Sequence, residues 1–99
     1  MRTLVFCLNK NELAVQLGLY IGDHPDAVCR GHEVINPDDS IQHYALIDST
    51  MVEALTDVTQ VVLSGTLTKP KGKYEKVMCA RAVALGEYLL NTHKLVYGR

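Results

Sequence analysis

The chemistry-bearing residues concentrate in one breaker-rich segment, SGTLTKPKGK, from Ser64 to Lys73. Gly65, Thr66, Thr68 and Gly72 offer hydroxyls and backbone N–H groups there, and Lys69, Lys71 or Lys73 offers positive charge. Such a set can cradle a phosphate where a loop opens into a helix. The GxxxxGK[ST] spacing of a P-loop is absent, and a solvated lysine-rich loop is the plain alternative. Two carboxylates stand apart from the loop. Glu75 falls in the first turn of the next helical stretch, where its charge also suits the helix dipole, and Asp48 is either a site group or a solvated acid. The four histidines, at 24, 32, 43 and 93, form no His-x-x-x-His pair, so no metal site is expected. Cys7, Cys29 and Cys79 are odd in number with no CxxC, which reads as three reduced, mostly buried thiols.

These residues need a scaffold. Ninety-nine residues, 47% apolar and 21% charged, suit a single domain spanning residues 1–99, with an aliphatic core because Trp is absent and Phe occurs once. A net charge of −1 argues against strong nonspecific nucleic-acid binding. No apolar run is long enough for a membrane span, and MRTLVFCLNKNE lacks a signal-peptide core, so a cytoplasmic protein is expected.

The apolar run Thr3–Leu8 reads as a strand covered on both faces. Leu13, Leu17 and Tyr20 then recur at helical spacing, with Asn9 or Asn11 as cap. The spacing next predicts a short helical turn ending at Gly31, then a strand at His32–Ile35 and a turn at Asn36–Ser40. Asp39 or Ser40 would cap a long helix carrying Ile41, Tyr44, Ala45, Met51, Val52 and Leu55. The competing pattern makes YALID a strand and begins a helix at a Thr50…Glu53 capping box. Gln60–Gly65 reads as a strand, Tyr74–Gly86 as a helix, and EYLL and KLVYG as candidate strands. Together these give an α/β fold: a flavodoxin- or Rossmann-like three-layer sandwich with a mainly parallel sheet of four or five strands. In such folds ligands sit beyond the carboxyl ends of the strands. That adds Asn9 and Asn36 to Ser64 and its loop as ligand-contacting candidates.

The segment GHEVINP, Gly31 to Pro37, resembles a stretch found in small phage and bacterial proteins related to nucleoside 2-deoxyribosyltransferases. Asp48…Leu55…VVLSG and KGKYEKVMCARAVALG are similar to later parts of that family, in the same order, so the resemblance spans most of residues 27–86. It implies a nucleoside or nucleotide ligand, no separate cofactor and a homo-oligomer. It also implies glycosidic-bond chemistry in which Glu75 attacks the anomeric carbon and Asp48 assists the leaving base. A carboxylate pair suits that reaction, one ionised as nucleophile and one protonated as acid. Cys7-Leu8-Asn9 stands where the family has a Gly-Pro-type loop, which favours binding without turnover or a degenerate enzyme. The alternative is a small phage-type accessory protein that binds a host protein and has no small-molecule site. A ligand-binding domain should show a pocket beside Ser64–Lys73 and Asn36; an accessory protein should show a closed sheet end and an exposed apolar patch.

Overall fold

The computed structural model describes residues 1–49, 52, 55 and 57–93. The Thr50…Glu53 capping box and the KLVYG strand lie outside them. The elements are β1 (Arg2–Cys7), α1 (Lys10–Asp23), β2 (Val28–Arg30), β3 (Glu33–Ile35), β4 (Ile41–Leu46), β5 (Val58–Leu63), α2 (Gly65–Thr68) and α3 (Lys73–His93).

β1 is the centre of the sheet, paired in parallel with β4 on one side and β5 on the other. Leu4, Val5, Phe6 and Cys7 are all buried, which is why the strand carries an unbroken apolar run rather than an alternating one. Successive side chains serve opposite faces. Val5 and Cys7 pack with Leu13, Leu17 and Tyr20 of α1. Leu4 and Phe6 pack with Leu67 of α2 and with Met78, Ala82, Leu85 and Leu89 of α3. The α3 residues recur at intervals of four, three and four, one stripe of a helix. The expected α/β architecture with helices on both faces is present.

The sheet is mixed, with order β2-β3-β4-β1-β5. Only β4, β1 and β5 are parallel; β2, β3 and β4 form an antiparallel meander. Two expectations fail here, for different reasons: β2 is exposed and exists through its pairing with β3, whereas β4 is apolar toward both cores. The helical turn expected before Gly31 is strand β2, and the long helix expected from Asp39 or Ser40 begins instead as strand β4. Tyr44 and Leu46 face α1 while Ala45 and Ile47 join the opposite core, so Tyr44–Ile47 is apolar throughout. A strand buried on both faces and a buried helix look alike at this length.

Turn chemistry sets the meander. Arg30 pairs with Glu33, leaving Gly31 and His32 as a two-residue loop, with Gly31 at φ +64° and no positive φ at His32. Glycine at the first central position is the type II′ pattern, whose twist matches that of the strands. Nothing lies within 4 Å of a methyl placed on Gly31, so the backbone angle alone resists substitution. Gly31→Ala should cost about 1 kcal/mol in thermal unfolding, and an unchanged midpoint would refute the assignment. Between β3 and β4, Asn36 N–H bonds Ser40 O at 2.9 Å, and the Asp38 carboxylate takes Ser40 N–H at 3.0 Å and Oγ at 2.6 Å. Asp39 closes this turn at φ +71°.

Gly86 does not end α3. The helix continues through EYLL, an expected strand, because Leu89 and Leu90 fall into the core with Met78 and Ala82.

Candidate functional site

β1 and β5 are neighbours, and the loops that leave their carboxyl ends diverge, one to α1 and the other to α2 and α3 on the opposite face. This is the switch point at which open α/β sheets place ligands. Here the protein fills it with Glu12. Asn9 is the N-cap of α1, its Oδ1 accepting Glu12 N–H at 2.8 Å. The Glu12 carboxylate accepts Leu8 N–H at 2.8 Å, Ser64 Oγ–H at 2.7 Å and Thr66 N–H at 3.1 Å. Burial acts to raise its pKa, but the bonds from Leu8, Thr66 and Ser64 outweigh that and hold it below the usual carboxylate value. Cys7 lies alongside. Desolvation, against a bond from Ser64 and reinforced by the Glu12 charge, pushes its pKa up to about 11, so the thiol is packed and protonated at neutral pH. Cys79 is partly buried, and Cys29, on edge strand β2, is exposed, contrary to the expectation of mostly buried thiols.

Most of the sequence-derived candidates bond to the protein itself. Ser64 is buried against Glu12, and Gly65 opens α2 so that Thr66 N–H reaches the same carboxylate. Thr68 Oγ donates to Gly65 O at 2.6 Å. Lys71 N–H donates to Glu75 Oε1 at 3.0 Å, and Gly72 O accepts Lys76 N–H at 3.0 Å, so Glu75 fastens the loop to the start of α3. Asn36 braces its turn through Nδ2 to Ser40 Oγ at 3.0 Å and accepts Tyr20 O–H at 2.8 Å. Asp48 is exposed and lies 3.6 Å from Arg81. Glu75 and Asp48 are thus held by different partners. Sequence reasoning passed over Glu12, although Asn9-x-x-Glu12 has the spacing of a capping box.

A second region is open. On the α3 side of the sheet, a groove of about 410 Å³ follows β4 from His43 to Leu46. His32 and Glu33 of the hairpin flank it, as do Asp48, Ser49 and Leu55 beyond β4. Its polar end is organised by Arg2. Nε of Arg2 donates to Asp57 Oδ1 at 2.9 Å, and Nη1 donates both to Glu33 and to His43 Nδ1, the latter at 2.8 Å. Glu33 and His43 are register partners across β3 and β4, which brings them together. Burial, then the Arg2 charge, lowers the His43 pKa, against an upward pull from Glu33. Burial would raise Asp57, but the bond and charge of Arg2 hold it lower. Among the sequence-derived candidates only Asp48 lines this groove.

Among the described residues no group of three His, Cys, Asp or Glu side chains is placed to hold a metal ion, and no helix is long and apolar enough to cross a membrane. No family model, curated protein or solved structure matches this chain.

Proposed function

We propose that the chain is a nucleoside-binding domain, a Rossmann-like variant, whose ligand lies in the β3–β4 groove rather than at the switch point. The groove is the observation that carries this. Its volume of about 410 Å³ falls within the range of small-molecule pockets, and its apolar length is framed by a few polar groups. The carboxylates of Glu33 and Asp48 are acceptors suited to sugar hydroxyls, and they disfavour a phosphate. At the switch point the Glu12 carboxylate already sits among the donors that a phosphate would use. Binding without turnover fits the arrangement better than glycosidic cleavage, since Glu75 is bonded to Lys71 N–H and does not line the groove. Action in the cytoplasm and assembly as a homo-oligomer belong to the same reading, the oligomer resting on the family resemblance.

Thermal unfolding against nucleosides, their 5′-phosphates, NAD and cyclic nucleotides tests it. A ligand at a hundred times its Kd adds about 2.7 kcal/mol, an upward shift of roughly 10 °C or more for a domain of this size. Nucleosides should raise the midpoint more than their phosphates do, and Asp48→Ala should abolish the shift. A flat panel with folded protein would refute the proposal.

One observation favours a second reading, that of a phage-type accessory protein docking on a host protein. Tyr74, Val77 and Tyr88 on α3 are 63%, 51% and 60% exposed, and their spacing of three and eleven residues aligns them on one strip. Arg81 lies on that strip between Val77 and Tyr88.

A further inference from the structure

His43 is the part of the groove whose chemistry is most tightly constrained. A guanidinium N–H can only donate, so the 2.8 Å contact from Arg2 Nη1 makes His43 Nδ1 an acceptor. The neutral ring then carries its proton on Nε2. Arg2 cannot turn away freely, because Asp57 and Glu33 hold the same guanidinium. Among the described residues nothing accepts a bond from Nε2, and no buried polar atom is left without a partner, so this N–H is reached from the open groove that His43 lines. Only 17% of the His43 side chain is exposed, and a donor so enclosed gains from an acceptor supplied by a ligand.

We propose that His43 is the specificity residue of the groove: its Nε2–H, oriented by Arg2, selects nucleosides whose base presents a carbonyl oxygen over those presenting an amino group. The inference rests on the nucleoside-binding reading and deepens it. The ligand class is the oxo-bases, such as inosine, guanosine or uridine. Adenosine would set its amino N–H against the imidazole N–H, leaving two donors facing each other. Asp48 acts elsewhere on the same ligand, as an acceptor for its hydroxyls; Glu33 stands 3.5 Å from Nδ1 of the His43 ring, where Arg2 holds its carboxylate.

Calorimetric titration of the wild-type chain with inosine and with adenosine, which differ in the group at C6 and in the proton on the adjoining N1, reads the selectivity. Inosine should bind about tenfold tighter, the consequence of one unsatisfied donor. His43→Gln retains an oxygen for Arg2 and an N–H for the ligand, and should keep most of that preference. His43→Leu should bring the two affinities within about threefold of each other. Equal binding by the wild type, or a preference that survives His43→Leu, would overturn the assignment of His43. Absence of binding by either nucleoside would instead strike the proposed function. Nitrogen NMR of the free protein is a check that needs no ligand: the His43 ring should show the neutral Nε2–H form, and a proton on Nδ1 would overturn the inference outright.

Discussion

Replacing Glu12 with alanine should lower the stability of the fold by about 3 kcal/mol, seen as a fall of roughly 15 °C in the unfolding midpoint. The size follows from what the carboxylate satisfies: Leu8 N–H at the end of β1, the buried Ser64 hydroxyl and Thr66 N–H at the start of α2. Bonds to a charged acceptor are worth more than neutral ones, and enclosed donors without partners carry a desolvation penalty. Glu12→Gln keeps one acceptor oxygen and should recover about half of the loss. Acidity offers a second readout. The folded pKa of Glu12 lies below its ordinary value of 4.5, so its contribution is present above about pH 4.5 and is lost as the pH falls through the folded value. The alanine variant should therefore lose less stability than wild type over that acid range. A loss below about 1 kcal/mol at neutral pH would mean that the contacts at the switch point are dispensable.

Arg2→Met should cost about 2 kcal/mol at pH 7.5, measured by urea unfolding. Arg2 is enclosed, with 11% of its side chain exposed, and its loss strands Glu33 and His43. Asp57 is 47% exposed, so water screens its share and the figure stays below that of a fully buried pair. The cost should also depend on pH in a definite sense. In the wild type the folded His43 pKa lies below 6.5, so as the pH drops below about 6.5 the unfolded chain takes up a proton that the folded chain resists, and stability falls. Removing the Arg2 charge, with Glu33 still beside the ring, raises the folded pKa and relieves that resistance. The gap between wild type and Arg2→Met should accordingly narrow between pH 7.5 and 5.5. A constant or widening gap would show that Arg2 does not act on His43 electrostatically.

The parts of the fold that could be read from the sequence are those whose patterns have a single meaning. The Thr3–Leu8 run, the Asn9 cap with Leu13 and Leu17, and the Gln60–Leu63 strand core all sit close to where periodicity placed them. β2 and β4 were not legible in the same way. β2 has three exposed residues and exists through its pairing with β3, whereas β4 is apolar on both faces and satisfies a helical rhythm as readily as a strand. The site was less legible than the fold. Hydroxyl- and glycine-rich loops promised a phosphate cradle, yet their donors are taken up by a carboxylate more than fifty residues earlier in the chain. The groove depends on strand register and on Arg2 meeting Asp57, fifty-five positions away. Sequence spacing holds no trace of such a meeting.

The place of β1 in the sheet carries a consequence for how the chain is made. This strand leaves the ribosome before the rest of its sheet, and both of its neighbours come much later, the second ending at Leu63. Its most apolar residues therefore wait without partners while the β2–β3–β4 meander, built from near neighbours, can form on its own. Long-range parallel pairing is slow and leaves apolar surface open in the meantime. Synthesis of this chain thus passes through an interval in which TLVFCL is bare apolar surface before it is the heart of a sheet.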